Sequence, residues 1–385
     1  MRVSSRAAIA AAYFAQGCAF LSLTTRLPKV ESHWGLSQLG LTLLMLMIVL
    51  LAGAGSLLAE RLAPRVGSAT VLRGGLLTVC VALLASGPAP GIPLLVVGMA
   101  IYGLGLGVVD ATSNMQAVAL EHRVRRSLLP SFHGAWTAGG IVGTLVSLAL
   151  PHASVAAVSV GVAVLPLMVA AAPYLPGRGG AVDPTSAGDI PWRPILLVGA
   201  ACVVFYTVDT ASTTWGSVYF DHTLGAPEAL VALAALPYLV ASLAARIAGD
   251  RLTDRFGATL LLRVGAVVAV VGLIVIVVAP SWPVGVLGFL VLGAGIAVVA
   301  PLSYSAAALL ARGDRLDADA ERARIDAVIA RFNQFNYVGA LVGSVLTGAI
   351  GTGSLRSGYA VPAVLVLALL PLARVFSRRT LASLA

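Results

Sequence analysis

Asp250-Arg251-Leu252-Thr253-Asp254-Arg255-Phe256-Gly257 is a near copy of Glu60-Arg61-Leu62-Ala63-Pro64-Arg65-Val66-Gly67, which lies 190 positions upstream in a chain of 385 residues. The register holds downstream, where Leu72-Arg73 matches Leu262-Arg263 and Gly103-Leu104-Gly105 matches Gly293-Ala294-Gly295. Further on the offset lengthens to 200, pairing Phe132 with Phe332, Gly139 with Gly339 and Gly143 with Gly343. The ten extra residues fall in the charged segment around Arg312–Arg324, which reads as a loop that tolerates insertion. Two copies of one membrane-spanning unit in a single chain point to a solute carrier.

Composition agrees. The chain is 59% hydrophobic and 11% charged, whereas a soluble domain needs about a quarter of its residues charged to wet its surface. Lipid must therefore solvate most of it. The net charge of +9 comes almost wholly from arginine, Lys29 being the one lysine, and these residues lie between apolar runs rather than in one basic patch. That distribution excludes a nucleic-acid surface. Cys18, Cys80 and Cys202 each sit inside an apolar run without paired spacing, so neither a disulfide nor a metal site is expected.

A helix needs about 20 apolar residues to cross the hydrocarbon layer. Such runs occur near 7–25, 38–58, 70–87, 92–118, 128–150 and 153–174, then near 194–216, 227–248, 259–279, 283–311, 328–350 and 357–376. The expected fold class is an all-α integral membrane protein with twelve transmembrane helices in two six-helix bundles, residues 1–175 and 194–385. The Gly/Pro-rich stretch 176–193 joins them as a linker. When alternate loops are assigned to the two sides, one side collects nearly every arginine and the other keeps Arg26, Lys29 and Arg356. The arginine-rich side is cytoplasmic, which places both termini inside. Arg2 and Arg6 before the first apolar run are read as flanking an uncleaved helix, because the second half has a matching first helix without such a signal.

The duplicated motif resembles the signature between helices 2 and 3, and 8 and 9, of the major facilitator superfamily. The second copy, preceded by Gly249, is the better match; the first has Pro64 where the pattern has an acid. Arg26-Leu27-Pro28, Asp110 with Asn114 and Gln116, and Ser131-Phe132-His133 resemble a sugar-permease-like (fucose-permease-like) branch of bacterial inner-membrane proteins. The resemblance implies two six-helix bundles rocking around a central cavity, in a monomer of the bacterial cytoplasmic membrane. Gating by Glu60, Arg61, Arg65, Asp250, Arg251, Asp254, Arg255 and Arg331 is likewise implied, with Glu60 neighbouring Arg331 in the outward-open state. That branch has an acid just before the helix-7 tryptophan, where this chain has Thr214 before Trp215.

Chemistry is sought among polar groups inside the spans. Asp110 and Asp209 are the two acids placed well within apolar runs, and such residues usually line an internal cavity and carry function. Asn114 and Glu121 follow Asp110 by four and eleven residues, along one stripe of the helix, while Gln116 projects elsewhere. Asp110, Asp209, Glu121 and His133 are the candidates for proton coupling. Asn114, Trp136, Ser212, Thr213, Asn333, Asn336 and Tyr337 are the candidates for substrate contact. Interhelical polar glue is the competing reading for the last three, and a hydrogen-bonded structural acid or histidine for the first group. Arg26 is expected to end helix 1 on the outer side as a snorkelling anchor, with an anion-attracting gate as the competing reading.

No phosphate-binding Lys motif occurs, and Gly103-x-Gly105-x-Gly107 lies mid-membrane with no strand before it, so neither ATP nor a dinucleotide cofactor is expected. Energy is expected from an ion or solute gradient. The leading reading is proton-coupled uptake of a small polar solute; the alternative is proton-driven efflux of a drug-like or secreted product. An enzyme would gather His, Cys or acids near one interface, and the histidines here are dispersed.

Overall fold

The computed structural model describes residues 2–124, 128–176, 192–311, 328, 332 and 334–377. No strand occurs among them. The helices are α1 (Arg2–Thr24), α2 (Leu27–Trp34), α3 (Gln38–Val66), α4 (Ser68–Ser86), α5 (Ile92–Val124), α6 (Leu129–Ala149) and α7 (Val155–Ala170). They continue with α8 (Trp192–Val218), α9 (Ala235–Phe256), α10 (Ala258–Val278), α11 (Trp282–Ile296), α12 (Val299–Leu310), α13 (Gln334–Ile350) and α14 (Leu355–Val366). Among the described residues, nine helices are long and apolar enough to cross a membrane, and Val155–Ala170 is a shorter apolar one. The expected run 283–311 is interrupted: α11 stops at Ile296 and α12 starts at Val299.

The duplicated motif proves to be helix rather than loop. α3 continues through Glu60–Val66 and α9 through Asp250–Phe256, as extensions of apolar helices in which Leu, Ala, Arg and Glu favour the helical state. Each helix ends at the motif's glycine, Gly67 at φ 90° and Gly257 at φ 79°. Those backbone angles are strained for any residue with a Cβ. Gly257→Ala should cost about 1 kcal/mol, read as a lower melting temperature of the purified protein.

The repeat is visible in three dimensions as matched close approaches. A Cβ at Gly103 would run into the Ile48 backbone, and one at Gly293 into the Tyr238 backbone; Ile48 and Tyr238 are themselves 190 apart. A Cβ at Gly105 would press on Val79 N, and one at Gly295 on Ala269 N, again 190 apart. Gly139 and Gly143 on α6 meet the α1 carbonyls of Phe14 and Cys18 in the same way. On α13, Gly339 and Gly343 meet Val203 and Thr207 of α8. Small residues let helix backbones approach where lipid supplies no hydrophobic drive for association.

The chain divides into two compact units. One comprises Met1–Gly180 together with Gly216–Asp221 and Ala226–Leu236; the other comprises Ala181–Trp215, His222–Gly225 and Pro237–Ala385. The first therefore takes in two short segments of the second sequence half. Within it, Ser217 Oγ donates to Thr24 O at 2.7 Å, and Lys29 Nζ lies 2.7 Å from Glu228 Oε1. Glu228 opens the 3₁₀ turn Glu228–Ala234, and its side chain is 55% exposed. Such a pair contributes about 0–1 kcal/mol. Lys29→Glu should loosen the 228–234 turn, seen as faster amide exchange there, and the double reversal with Glu228→Lys should restore protection.

Candidate functional site

In the first unit, α1, α5 and α6 bring a polar and aromatic cluster together. Tyr13 on α1 donates its hydroxyl to Asn114 Oδ1 on α5 at 2.6 Å. Asn114 Nδ2 in turn donates to the Asp110 carbonyl oxygen one helical turn earlier, at 3.0 Å. Two of the amide's groups are thereby engaged, which fixes which way it points. The Tyr13 ring stacks on Phe132, with centroids 5.7 Å apart and planes at 9°, and meets His133 edge-on at 5.5 Å. One turn further along α6, Trp136 faces Phe20 of α1 at 6.2 Å. Tyr13 and Phe132 are buried, while Asp110, Asn114, His133 and Trp136 are half-buried. Aromatic faces and hydrogen-bonding groups thus share one surface inside a helical bundle. Such a surface can hold a solute by stacking and by directed hydrogen bonds.

Glu121 and Gln116 have positional work instead. The Leu128 backbone N–H donates to Glu121 Oε1, which ties the end of α5 to the start of α6. Gln116 Nε2 donates to Ser68 Oγ at 2.8 Å and to Leu175 O at 3.2 Å, and its Oε1 accepts from Leu175 N at 2.9 Å. It points away from the Asp110–Asn114 stripe, as helical spacing requires. Nearby, Arg73 donates to Ala172 O and lies over the Tyr174 ring. The Tyr174 hydroxyl donates to Val169 O at 2.8 Å.

In the second unit, Asp209 of α8 accepts a hydrogen bond from the Tyr238 hydroxyl of α9 at 2.6 Å. Arg246, two turns beyond Tyr238, acts electrostatically on the same carboxyl and stands 5.7 Å from the Phe205 ring centroid. Thr213 donates to the Asp209 backbone carbonyl at 2.7 Å, and Ser212 Oγ is buried with no hydrogen-bond partner. Trp215 is fully buried; its Nε1 donates to Ser344 O on α13 at 2.8 Å. Asn336 and Tyr337 are half-buried at the start of α13. Asn333 and Arg331, and with Arg331 the expected pairing to Glu60, lie outside the described residues. Glu60, Arg61 and Arg65 are exposed along the end of α3, as are Arg251, Asp254 and Arg255 along α9; Asp250 is helical there. Among the described residues no group of three or more His, Cys, Asp or Glu could hold a metal ion.

Arg26 departs from expectation. A snorkelling anchor keeps its head in water, yet Arg26 is 4% exposed. It donates through Nη2 to Leu150 O at 2.6 Å and through Nη1 to Ala153 O at 3.0 Å, at the C-terminal end of α6. The negative end of the α6 dipole, the carbonyl of its C-cap Leu150 and the Ala153 carbonyl in the turn beyond hold it inward.

Tyr13, Phe20, Tyr238 and Arg246 were not among the sequence candidates. The usable signal was the presence of tyrosines in the middle of apolar runs, since a buried phenol must find a polar partner.

The sequence model of the Major Facilitator Superfamily matches residues 7–318 and 197–383. An uncharacterised transporter of Sinorhizobium fredii is 28% identical over 313 residues, covering 78% of this chain and 81% of that protein. The structure of the nucleoside transporter NupG superimposes with a TM-score of 0.72 at 11% identity, over 97% of this chain and 100% of that one. That of the transporter FucP in an outward conformation superimposes with a TM-score of 0.65 at 17% identity, over 98% and 99%. At these identities the structural likeness speaks to the fold.

Proposed function

Because the chain belongs to the Major Facilitator Superfamily, we propose that it carries a small polar organic solute across the bacterial cytoplasmic membrane by alternating access, driven by protons in the direction of uptake. Twelve transmembrane helices in two six-helix halves, 1–175 and 194–385, with both termini cytoplasmic and one chain as the working unit, complete this reading. Asp110 and Asp209 are the proton-coupling acids. Asn114, His133 and Trp136, with Tyr13 and Phe20, form the solute-contacting surface of the first half; Ser212, Thr213, Asn333, Asn336 and Tyr337 belong to the second.

The observation that carries the reading is the Asp110–Asn114–Tyr13 chain beside Trp136 and His133. An amide and an imidazole are gathered beside the α5 turn that carries Asp110, inside helices that are otherwise apolar, and polar groups placed there at such cost usually serve function. Asn114 is held so that one Nδ2 hydrogen is left to donate to a solute acceptor. Proteins of similar fold are described as a nucleoside transporter and a fucose:proton symporter, so nucleosides and deoxyhexoses are the first solutes to try. The test is uptake into proteoliposomes of a radiolabelled solute panel, with and without an inward proton gradient. Accumulation of one solute that collapses with a protonophore supports the reading. Accumulation that grows only when the gradient is reversed would establish efflux instead.

A further inference from the structure

We propose that Arg246 of α9 receives the carboxylate of a monoanionic solute when Asp209 of α8 takes up a proton, an inference that rests on the proton-driven uptake proposed above. Tyr238 and Arg246 stand two turns apart on one face of α9, and Phe205 and Asp209 one turn apart on one face of α8. The two faces meet. The Tyr238 hydroxyl donates to Asp209 Oδ1 at 2.6 Å, and the Arg246 guanidinium carbon stands 5.7 Å from the Phe205 ring centroid. Arg246 belongs to the last turn of the apolar span Glu228–Gly249. Helical side chains lean toward the N-terminus of their helix, so its head lies further into the span than its backbone and reaches the level of Phe205. Asp209 and Arg246 are both half-buried, as is Tyr206, which meets Phe205 edge-on at 4.9 Å. An acid and a cation thus face each other within the span, and neither residue is sealed inside the bundle.

Charge selects the solute. Among the described residues, Arg246 is the charged group that acts on the Asp209 carboxyl. The other helices packed on α8 bring Gly339 and Gly343 of α13 and the Tyr359 hydroxyl of α14, which donates to Ala211 O at 3.1 Å. With Asp209 ionised, its charge offsets that of Arg246. Tyr238 occupies Oδ1, so the proton is taken on Oδ2. The guanidinium is then a cation in a medium of low dielectric, and an entering anion restores neutrality. A planar guanidinium over an aromatic ring keeps its fork for bidentate pairing with a carboxylate. One proton and one negative charge cross together and move no net charge, whereas net charge would have to work with or against the membrane potential. A neutral solute leaves the cation uncompensated, and a phosphate monoester brings about 1.5–2 negative charges. The count fits a monocarboxylate, which adds sugar acids and other small organic acids to the solutes to try.

Thermal shift of the purified full-length protein in detergent tests this with glucuronate, quinate and benzoate, each against a neutral counterpart (glucose, inositol, benzamide), and with glycerol phosphate. At about pH 5.5 the carboxylates of these probes are still ionised. At least one is expected to raise the melting temperature saturably, where its counterpart and glycerol phosphate do not. Its half-saturating concentration should rise about tenfold or more between about pH 5.5 and about pH 8, as Asp209 ionises and takes back the cation. Asp209→Asn should hold the low-pH affinity at both pH values, and Arg246→Gln should abolish the carboxylate effect. If Arg246→Gln does not fold, the pH profile of Asp209→Asn decides, because a purely structural acid would leave the slope in place. Neutral counterparts that stabilise as well as the acids, no effect of any carboxylate, or a slope that survives in Asp209→Asn would overturn the inference. Proton-driven accumulation of a neutral solute would also overturn it and leave the uptake reading intact. Carboxylate binding with these dependences, but without proton-driven accumulation in proteoliposomes, would keep the site and overturn the uptake reading.

Discussion

Asp110→Asn will reduce proton-driven solute accumulation in proteoliposomes by roughly 100-fold or more, the scale of removing a positioned proton-transferring group. Asparagine keeps the size and the local helix, so folding should survive. The Asn114 amide should also stay in place, since it bonds to the backbone carbonyl at 110 and to Tyr13 rather than to the substituted group. Solute binding and gradient-free exchange of labelled for unlabelled solute are therefore expected to persist. That division separates a coupling acid from a structural one: loss of exchange together with accumulation would show that Asp110 holds the fold or the solute. Retained proton-driven accumulation would remove Asp110 from the coupling scheme. Asp209→Asn makes the matching test in the second unit, where Tyr238 donates to the carboxyl itself; any effect there should be compared with Tyr238→Phe.

Gly139→Leu will abolish the folded first unit. A Cβ at this position would enter the Phe14 backbone, so α6 must back away from α1 along a seam continued by Gly143 against Cys18. Overpacking a side-chain contact costs about 1–3 kcal/mol, and here the obstacle is main chain that cannot rotate aside. A loss of about 3 kcal/mol or more is a large share of a stability of about 5–15 kcal/mol. Detergent-solubilised Gly139→Leu is expected to aggregate on size exclusion at the temperature where the parent is monodisperse. Gly134→Ala, five residues earlier on the same helix, is the control. Nothing stands within 4 Å of a Cβ there, so it should be neutral or stabilise by up to about 1 kcal/mol. Equal behaviour of the two variants would show that the seam is not closely packed.

The two acids of the proposed site were legible because carboxylates inside apolar runs are conspicuous by cost alone. The 190-residue register sharpened them: Asp110 aligns with Ala300 and Asp209 with Ala19, so each copy of the shared frame carries one acid the other lacks. What surrounds those acids was not legible. Tyr13 reaches Asn114 across 101 positions and Tyr238 reaches Asp209 across 29. Such partners are chosen by which helix faces meet, and no local pattern encodes that. Glu121 shows the converse. It lies eleven residues after Asp110 on α5, and its carboxylate is engaged by the Leu128 N–H, a turn whose geometry the spacing does not reveal.

The amino-acid sequence by itself determined the helical, membrane-spanning class, the internal duplication and its family, because transfer of apolar runs into lipid is a local property of the chain. Only the tertiary structure decided three further things. The duplicated motifs are helix up to a positive-φ glycine; segments 216–221 and 226–236 pack with the first half; and Arg26 is turned inward onto Leu150 and Ala153. Each depends on satisfying backbone and side-chain polar groups where water is excluded. In a protein solvated by lipid, that requirement is met between distant segments and fixed only when they pack.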